Sequence, residues 1–153
     1  MNGLTIRKAG PRDAETIARF NAAMALETEN KILEPEIVSA GVRNLMSHPE
    51  YGFYLVAEEG AETAACLLLT YEWSDWRNGL FWWVQSVYVR PGYRRRGIYR
   101  QMYAKVRELA RLDRQVRGVR LYVERENKSA RSAYENLGMT ETSYRMYEEE
   151  LEH

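Results

Sequence analysis

Residues 88–103 read YVRPGYRRRGIYRQMY, with arginine at positions 90, 94, 95 and 96. An apolar strand pattern ends at Val89, and a helical pattern opens at Ile98. These cations therefore precede a helix N-terminus, where the backbone already carries partial positive charge. Each should cost some tenths of a kcal/mol there unless an anion answers it. Strand, tight turn, glycine and helix together form the arrangement that holds phosphate on backbone amides. Gly97 permits close backbone approach, and the arginines offer bidentate donors. GxxxxGK[ST] is absent, and no GxGxxG follows a strand, so the common nucleotide loops are excluded. Several arginines suit a pyrophosphate with a further phosphate better than one phosphate alone.

A second constellation lies downstream in ENKSARSAYENLGM, residues 126–139. Asn127 can cap a helix, and Tyr134 shares a helix face with Ala130, Ala133 and Leu137, which turns it toward a sheet. Carboxylates gather in LETENKILEPE (residues 26–36) and in TYEWSDW (residues 70–76), the latter with Trp73 and Trp76 available to stack on a cation. Those aromatics equally suit a dimer contact. His48 is the only histidine once the last three residues are set aside as an expression-tag remnant. Histidine metal clusters, serine–histidine triads and a Cys–His pair are thereby disfavoured. The expectation is of no metal.

The elements that must position these groups follow from periodicity and turn signals. Residues 3–8 read as a strand. Pro11 and Asp13 open a helix through Ala14, Ile17, Phe20 and Met24, and a second helix begins at Pro35. Strands follow at residues 52–59, 64–73 and 80–89, the last apolar enough for a central position. A helix carries Ile98, Met102, Val106 and Ala110. A strand at 119–123, a helix at 128–137 closed by Gly138, and a final strand at about 142–149 complete the chain. The order is β-α-α-β-β-β-α-β-α-β, an α/β (α+β) class with a mixed, mostly antiparallel sheet of about 6–7 strands and helices on both faces. Residues 1–150 read as a single domain and residues 151–153 as the tag remnant.

Composition narrows the partners. Lysine plus arginine (22) equals aspartate plus glutamate (22), so no global field favours nucleic acid or an anionic membrane. The single cysteine, Cys66, excludes an intrachain disulfide and fits a reducing compartment. With no signal peptide or membrane span in the sequence, a cytoplasmic location is expected.

VYVRPGYRRRGIY resembles the acetyl-coenzyme A loop of the GCN5-related N-acetyltransferase (GNAT) family, whose pattern is Gln/Arg-x-x-Gly-x-Gly/Ala. Arg94, Arg95, Arg96, Gly97, Ile98 and Tyr99 occupy it, with Tyr99 where the family usually has glycine or alanine. The resemblance covers nearly the whole chain and implies an acetyl-CoA-dependent N-acetyltransferase acting by direct attack in a ternary complex. It implies that the strand ending SVYV splays, freeing amides around Val87, Tyr88 and Val89 for pantetheine and the acetyl oxygen. It further implies that Asn127 contacts the pantetheine arm or orders its loop, and that Tyr134 protonates the departing thiolate. The layout is similar to the diamine (spermidine/spermine) branch. That similarity places Glu27, Glu29 and Trp73 at the acceptor entrance, although Gln85 stands where that branch often has an acid. The expected acceptor is a small-molecule amine, with polyamines included, and the expected assembly a homodimer. A coenzyme A-binding regulator without activity and acetylation of a protein amine are the alternatives.

Overall fold

The computed structural model describes residues 3–153. Residues through Tyr122 form one compact unit and Val123–His153 form a second. In the first, β1 (Leu4–Lys8) leads through a short 3₁₀ turn at Pro11–Asp13 into α1 (Ala14–Glu29) and α2 (Pro35–Met46). Then come β2 (Gly52–Glu59), β3 (Glu62–Ser74), β4 (Gly79–Val89), α3 (Ile98–Leu112) and β5 (Val116–Arg120). The sheet order is β1-β2-β3-β4-β5, antiparallel throughout except for the parallel β4–β5 pair.

Side-chain alternation assigns each face of the sheet its own core. Leu55, Ala57, Leu67 and Leu69 point to one face, where they pack with Ile98, Met102 and Val106 of α3. Tyr54, Val56, Cys66 and Leu68 point to the other, against Ile17 and Phe20 of α1 and Val42 of α2. Two-sided burial explains the near-continuous apolar runs of β2 and β3. Cys66 is fully buried, and burial pushes its thiol up to about 12, so it is a packing residue with no accessible thiolate.

β4 departs from simple alternation. Cys66 pairs with Tyr88 and Leu68 with Gln85, so Ser86 and Val87 together oppose Leu67. The extra residue is a β-bulge, and Ser86 carries it with φ +50°. Before the bulge, Trp82 and Val84 face α3; after it, Tyr88 faces α1 while Val87 and Val89 face α3. One inserted residue has exchanged the two faces of the strand.

Asp13 is the buried carboxylate that locks the start of α1. Its oxygens accept from Arg7 Nη1 and Nη2, each at 2.9 Å, and from the Gly10 amide at 2.8 Å. Arg7 also donates to both Glu58 oxygens, tying β1, β2 and the helix start together.

In the second unit, α4 spans Lys128–Asn136, and Gly138 follows it at φ +95°. The final strand expected at residues 142–149 does not form: this stretch takes no regular structure, and Tyr144 and Tyr147 are exposed. The described sheet therefore has five strands, not 6–7, in the order β-α-α-β-β-β-α-β-α. Strand-like composition alone does not make a strand without a partner edge. The fifth strand also lies earlier than the 119–123 expected, because its ladder to β4 starts at Val116 and ends at Arg120.

At Gly52 the ideal Cβ of any other residue would lie 2.0 Å from the Leu69 carbonyl oxygen, a backbone atom within the β2–β3 ladder. Gly52→Ala should therefore cost about 3 kcal/mol, the upper part of the overpacking range, and lower Tm by about 10 °C in a thermal melt.

Candidate functional site

The β4–β5 ladder runs only from Leu80–Val116 to Trp83–Arg120. Beyond Trp83 the outer edge of β4 has no strand partner among the described residues. The Arg90 amide donates to the Ala64 carbonyl at 2.9 Å, which fixes the direction of the backbone there. By alternation, the N–H groups of Val87 and Val89 point to the open edge while Tyr88 points its own toward β3. The pairing with β5 thus ends three residues before the bulge at Ser86.

The loop past β4 makes a 3₁₀ turn at Pro91–Tyr93 and enters α3 through two left-handed residues, Arg95 at φ +64° and Gly97 at φ +75°. A left-handed arginine costs on the order of 1 kcal/mol, strain of the kind that collects at ligand sites. No side chain caps α3, so the amides of its first turn remain open to an anion. Ile98 is buried and Tyr99 is turned into the α3-side core, its ring 6.3 Å from that of Tyr103. The tyrosine side chain is thereby accommodated away from the loop, leaving only its amide there.

The arginines are not equivalent. Arg94 Nε donates to the Val89 carbonyl at 2.7 Å, and its Nη2 donates to Glu27 Oε1 at 2.8 Å. Arg96 Nη2 donates to Glu59 Oε2 at 2.8 Å, and its guanidinium lies over the Tyr93 ring. Two of the cations ahead of the helix are thus answered by carboxylates distant in sequence. Arg95 is exposed, without such a partner among the described residues.

Glu27 is the hub of this end of the site. Besides Arg94 it accepts from the Tyr88 hydroxyl at 2.7 Å, and the Arg94 guanidinium lies 5.3 Å from the centre of the Tyr88 ring. The Arg94 hydrogen bond, then that from Tyr88, holds the Glu27 carboxyl below its ordinary range. Burial, then the hydrogen bond to Glu27, raises the Tyr88 phenol. This clasp joins the last turn of α1 to the end of β4 and to the loop, and only the parity change at Ser86 lets Tyr88 reach it.

The other expected acceptor groups are dispersed. Glu29 closes α1 and is exposed. Trp73 pairs with Leu80, seven residues from Val87, so at about 3.3 Å per residue it lies ~23 Å along β4 from the bulge. Trp73 and Trp76 are 56% and 86% exposed at that far end. Glu27 and Trp73 therefore flank opposite ends of β4 and do not share a pocket. Gln85 Nε2 donates to the Thr70 hydroxyl, a partner inside the sheet.

In the second unit, Asn127 Oδ1 accepts from the Ala130 amide at 3.1 Å, the helix cap foreseen in the sequence. Tyr134 is partly buried on α4, and burial raises its phenol above the ordinary tyrosine value. Among the described residues, no group of three or more His, Cys, Asp or Glu side chains could hold a metal ion, and no helix is long and apolar enough to cross a membrane.

What sequence reasoning missed is the Glu27–Tyr88–Arg94 clasp and the bulge beneath it. The available signal was Gln85-Ser86, two polar residues interrupting an otherwise apolar strand.

Comparison with known proteins adds the following. Residues 18–139 match the acetyltransferase (GNAT) family. A possible acetyltransferase from Clostridium difficile 630 superposes with a TM-score of 0.91 at 43% identity, covering 98% of this chain and 99% of that one. A predicted acetyltransferase with acetyl-CoA from Clostridium acetobutylicum gives 0.79 at 17% identity, covering 95% and 96%. The ribosomal-protein-alanine N-acetyltransferase from Brucella melitensis biovar Abortus 2308 gives 0.77 at 16% identity, covering 97% and 99%. No curated protein sequence matches the chain.

The clasp makes a pH-dependent contribution of known sign. Because the folded Glu27 carboxyl lies below its ordinary 4.5, its stabilisation is present above that pH and is lost as pH falls through the folded value. Wild type should thus melt above Glu27→Gln at pH 7, with the gap narrowing progressively as pH falls below 4.5. A gap independent of pH would assign the effect to packing.

Proposed function

The chain belongs to the acetyltransferase (GNAT) family, and on that premise we propose that it transfers the acetyl group of acetyl-CoA to the primary amine of a small molecule. It is an acyltransferase by membership. The observation that carries the reading further is the opening of β4 beyond Trp83, continuous with an uncapped helix start behind left-handed Gly97. A thioester arm and a pyrophosphate need these two features in tandem.

In this reading the pyrophosphate rests on the amides of Gly97, Ile98 and Tyr99, with Arg95 as the exposed cation. Arg94 and Arg96 border the loop and add charge, their geometry fixed by Glu27 and Glu59. The Val87 and Val89 amides hold the pantetheine and the acetyl oxygen, where they stabilise the oxyanion that develops during attack. Asn127 orders the turn that leads into α4 through its cap.

The acceptor nitrogen attacks the thioester carbonyl as the neutral amine, its excess proton passing to water or a carboxylate. The tetrahedral intermediate then collapses with cleavage of the carbon–sulfur bond. Tyr134, a phenol that is protonated at neutral pH, supplies a proton to the departing thiolate. Glu27 is committed to Arg94 and Tyr88 and shapes the wall of the site, which leaves Glu29 to attract an acceptor cation. The separation of Glu27 from Trp73 removes the paired carboxylate–aromatic entrance that would single out a diamine, so the reading stays at primary amines generally.

The test is thiol release from acetyl-CoA with a panel of amines, run alongside calorimetric binding. Coenzyme A at about 100 times its Kd should stabilise the protein by about 2.7 kcal/mol. Tyr134→Phe should lower kcat ten- to a few hundredfold while acetyl-CoA affinity stays within twofold. Absence of both coenzyme A binding and thiol release would overturn the reading. Full activity of Tyr134→Phe would move the proton donor to water or the product amine.

A further inference from the structure

On the α1 side of the sheet lies a cavity of about 330 Å³, lined by Thr16, Arg19 and Phe20 of α1, Ala61 in the β2–β3 turn, Thr63 of β3, and Arg90 just past β4. Two arginines and two threonines line it, and no acidic residue does. The contrast with the neighbouring loop is chemical: Arg94 and Arg96 each close onto a glutamate at 2.8 Å. Arg19, by comparison, donates only to Thr16 Oγ1 at 3.3 Å and has no carboxylate partner among the described residues. Arg90 reaches the Thr63 carbonyl at 3.3 Å and Glu62 only at 3.8 Å. Arg19 and Arg90, neither held by a close carboxylate, therefore share one cavity.

We propose that this cavity is an anion-binding site that takes the phosphate or carboxylate group of a small molecule. Two arginines on one cavity supply the charge and the fork-shaped donors such groups require, and the two threonines carry hydroxyl donors. Phe20, 8% exposed, adds an apolar wall that bare phosphate would not use. A volume near the lower end of small-molecule pockets leaves room for an organic body beside the anionic group. None of the lining residues belongs to the helix start at 94–99, so the site is separate from the pyrophosphate loop and stands whether or not the acetyl-transfer reading does. The anion has two sources, an anionic group carried by the acceptor amine or a separate effector.

The experiment is calorimetric titration of inorganic phosphate at constant ionic strength, with coenzyme A present to fill the loop. Wild type is compared with Arg19→Gln and Arg90→Gln. Loss of a charge-assisted hydrogen bond should weaken phosphate about ten- to a hundredfold in each variant. Arg19 is exposed on α1, so Arg19→Gln should melt with wild type, and its affinity loss then reports the site and not the fold. Equal phosphate affinity in wild type and Arg19→Gln, or no binding to wild type, overturns the proposal. Steady-state kinetics separates the sources. A KM penalty in Arg19→Gln confined to amines bearing carboxylate or phosphate assigns the anion to the acceptor. A phosphate-dependent change in kcat/KM for a neutral amine, lost in Arg19→Gln, assigns it to an effector.

Discussion

The inserted residue at Ser86 is the constraint on which the site depends. A regular β4 would keep one parity from Gly79 to Val89 and would send the side chain at position 88 toward α3. With two residues opposing Leu67, the strand instead presents Trp82 and Val84 to α3 and Tyr88 to α1. The same local twist accompanies the loss of β5 as a neighbour after Trp83, so the strand changes face where it gains a free edge. A positive φ at a serine is tolerated because the surrounding ladder over-determines it: β3 remains paired on both sides of the bulge.

Several interactions then become possible that no other register allows. Tyr88 reaches Glu27, Glu27 holds Arg94, and Arg94 covers the Val89 carbonyl. This chain of contacts couples the last turn of α1 to the loop that precedes α3. Its members are exposed to differing degrees, so its worth lies in geometry more than in ion-pair energy, which is small for surface pairs. The arginine run ahead of a helix is in part a set of ties to carboxylates 37 and 67 residues earlier in the chain. Of the three arginines at 94–96, Arg95 alone has no carboxylate partner among the described residues and is left to solvent.

Much of this was legible in the sequence. Helices beginning at Pro35 and Ile98 and capped by Asn127 follow from local chemistry, and the structure places them there. The loop motif led to the family that the comparisons show. What local signals could not supply was long-range. The composition of residues 142–149 favours a strand, but a strand needs an edge to pair with, and none is engaged there. Glu27 and Trp73 both looked suited to a cationic acceptor, yet the β3–β4 register separates them. Glu27 reads as a free surface acid until Arg94 and Tyr88 are seen on its two oxygens.

The most direct measurement is site-resolved amide exchange through β4, with and without saturating acetyl-CoA. The account predicts fast exchange for Val87 and Val89 in the free protein, because both face the open edge, and slow exchange once acetyl-CoA is bound. Tyr88, directed toward β3, should be protected in both states. Val87 and Val89 amides that stay unchanged when acetyl-CoA binds would contradict the claim that the Ser86 bulge builds the acyl site.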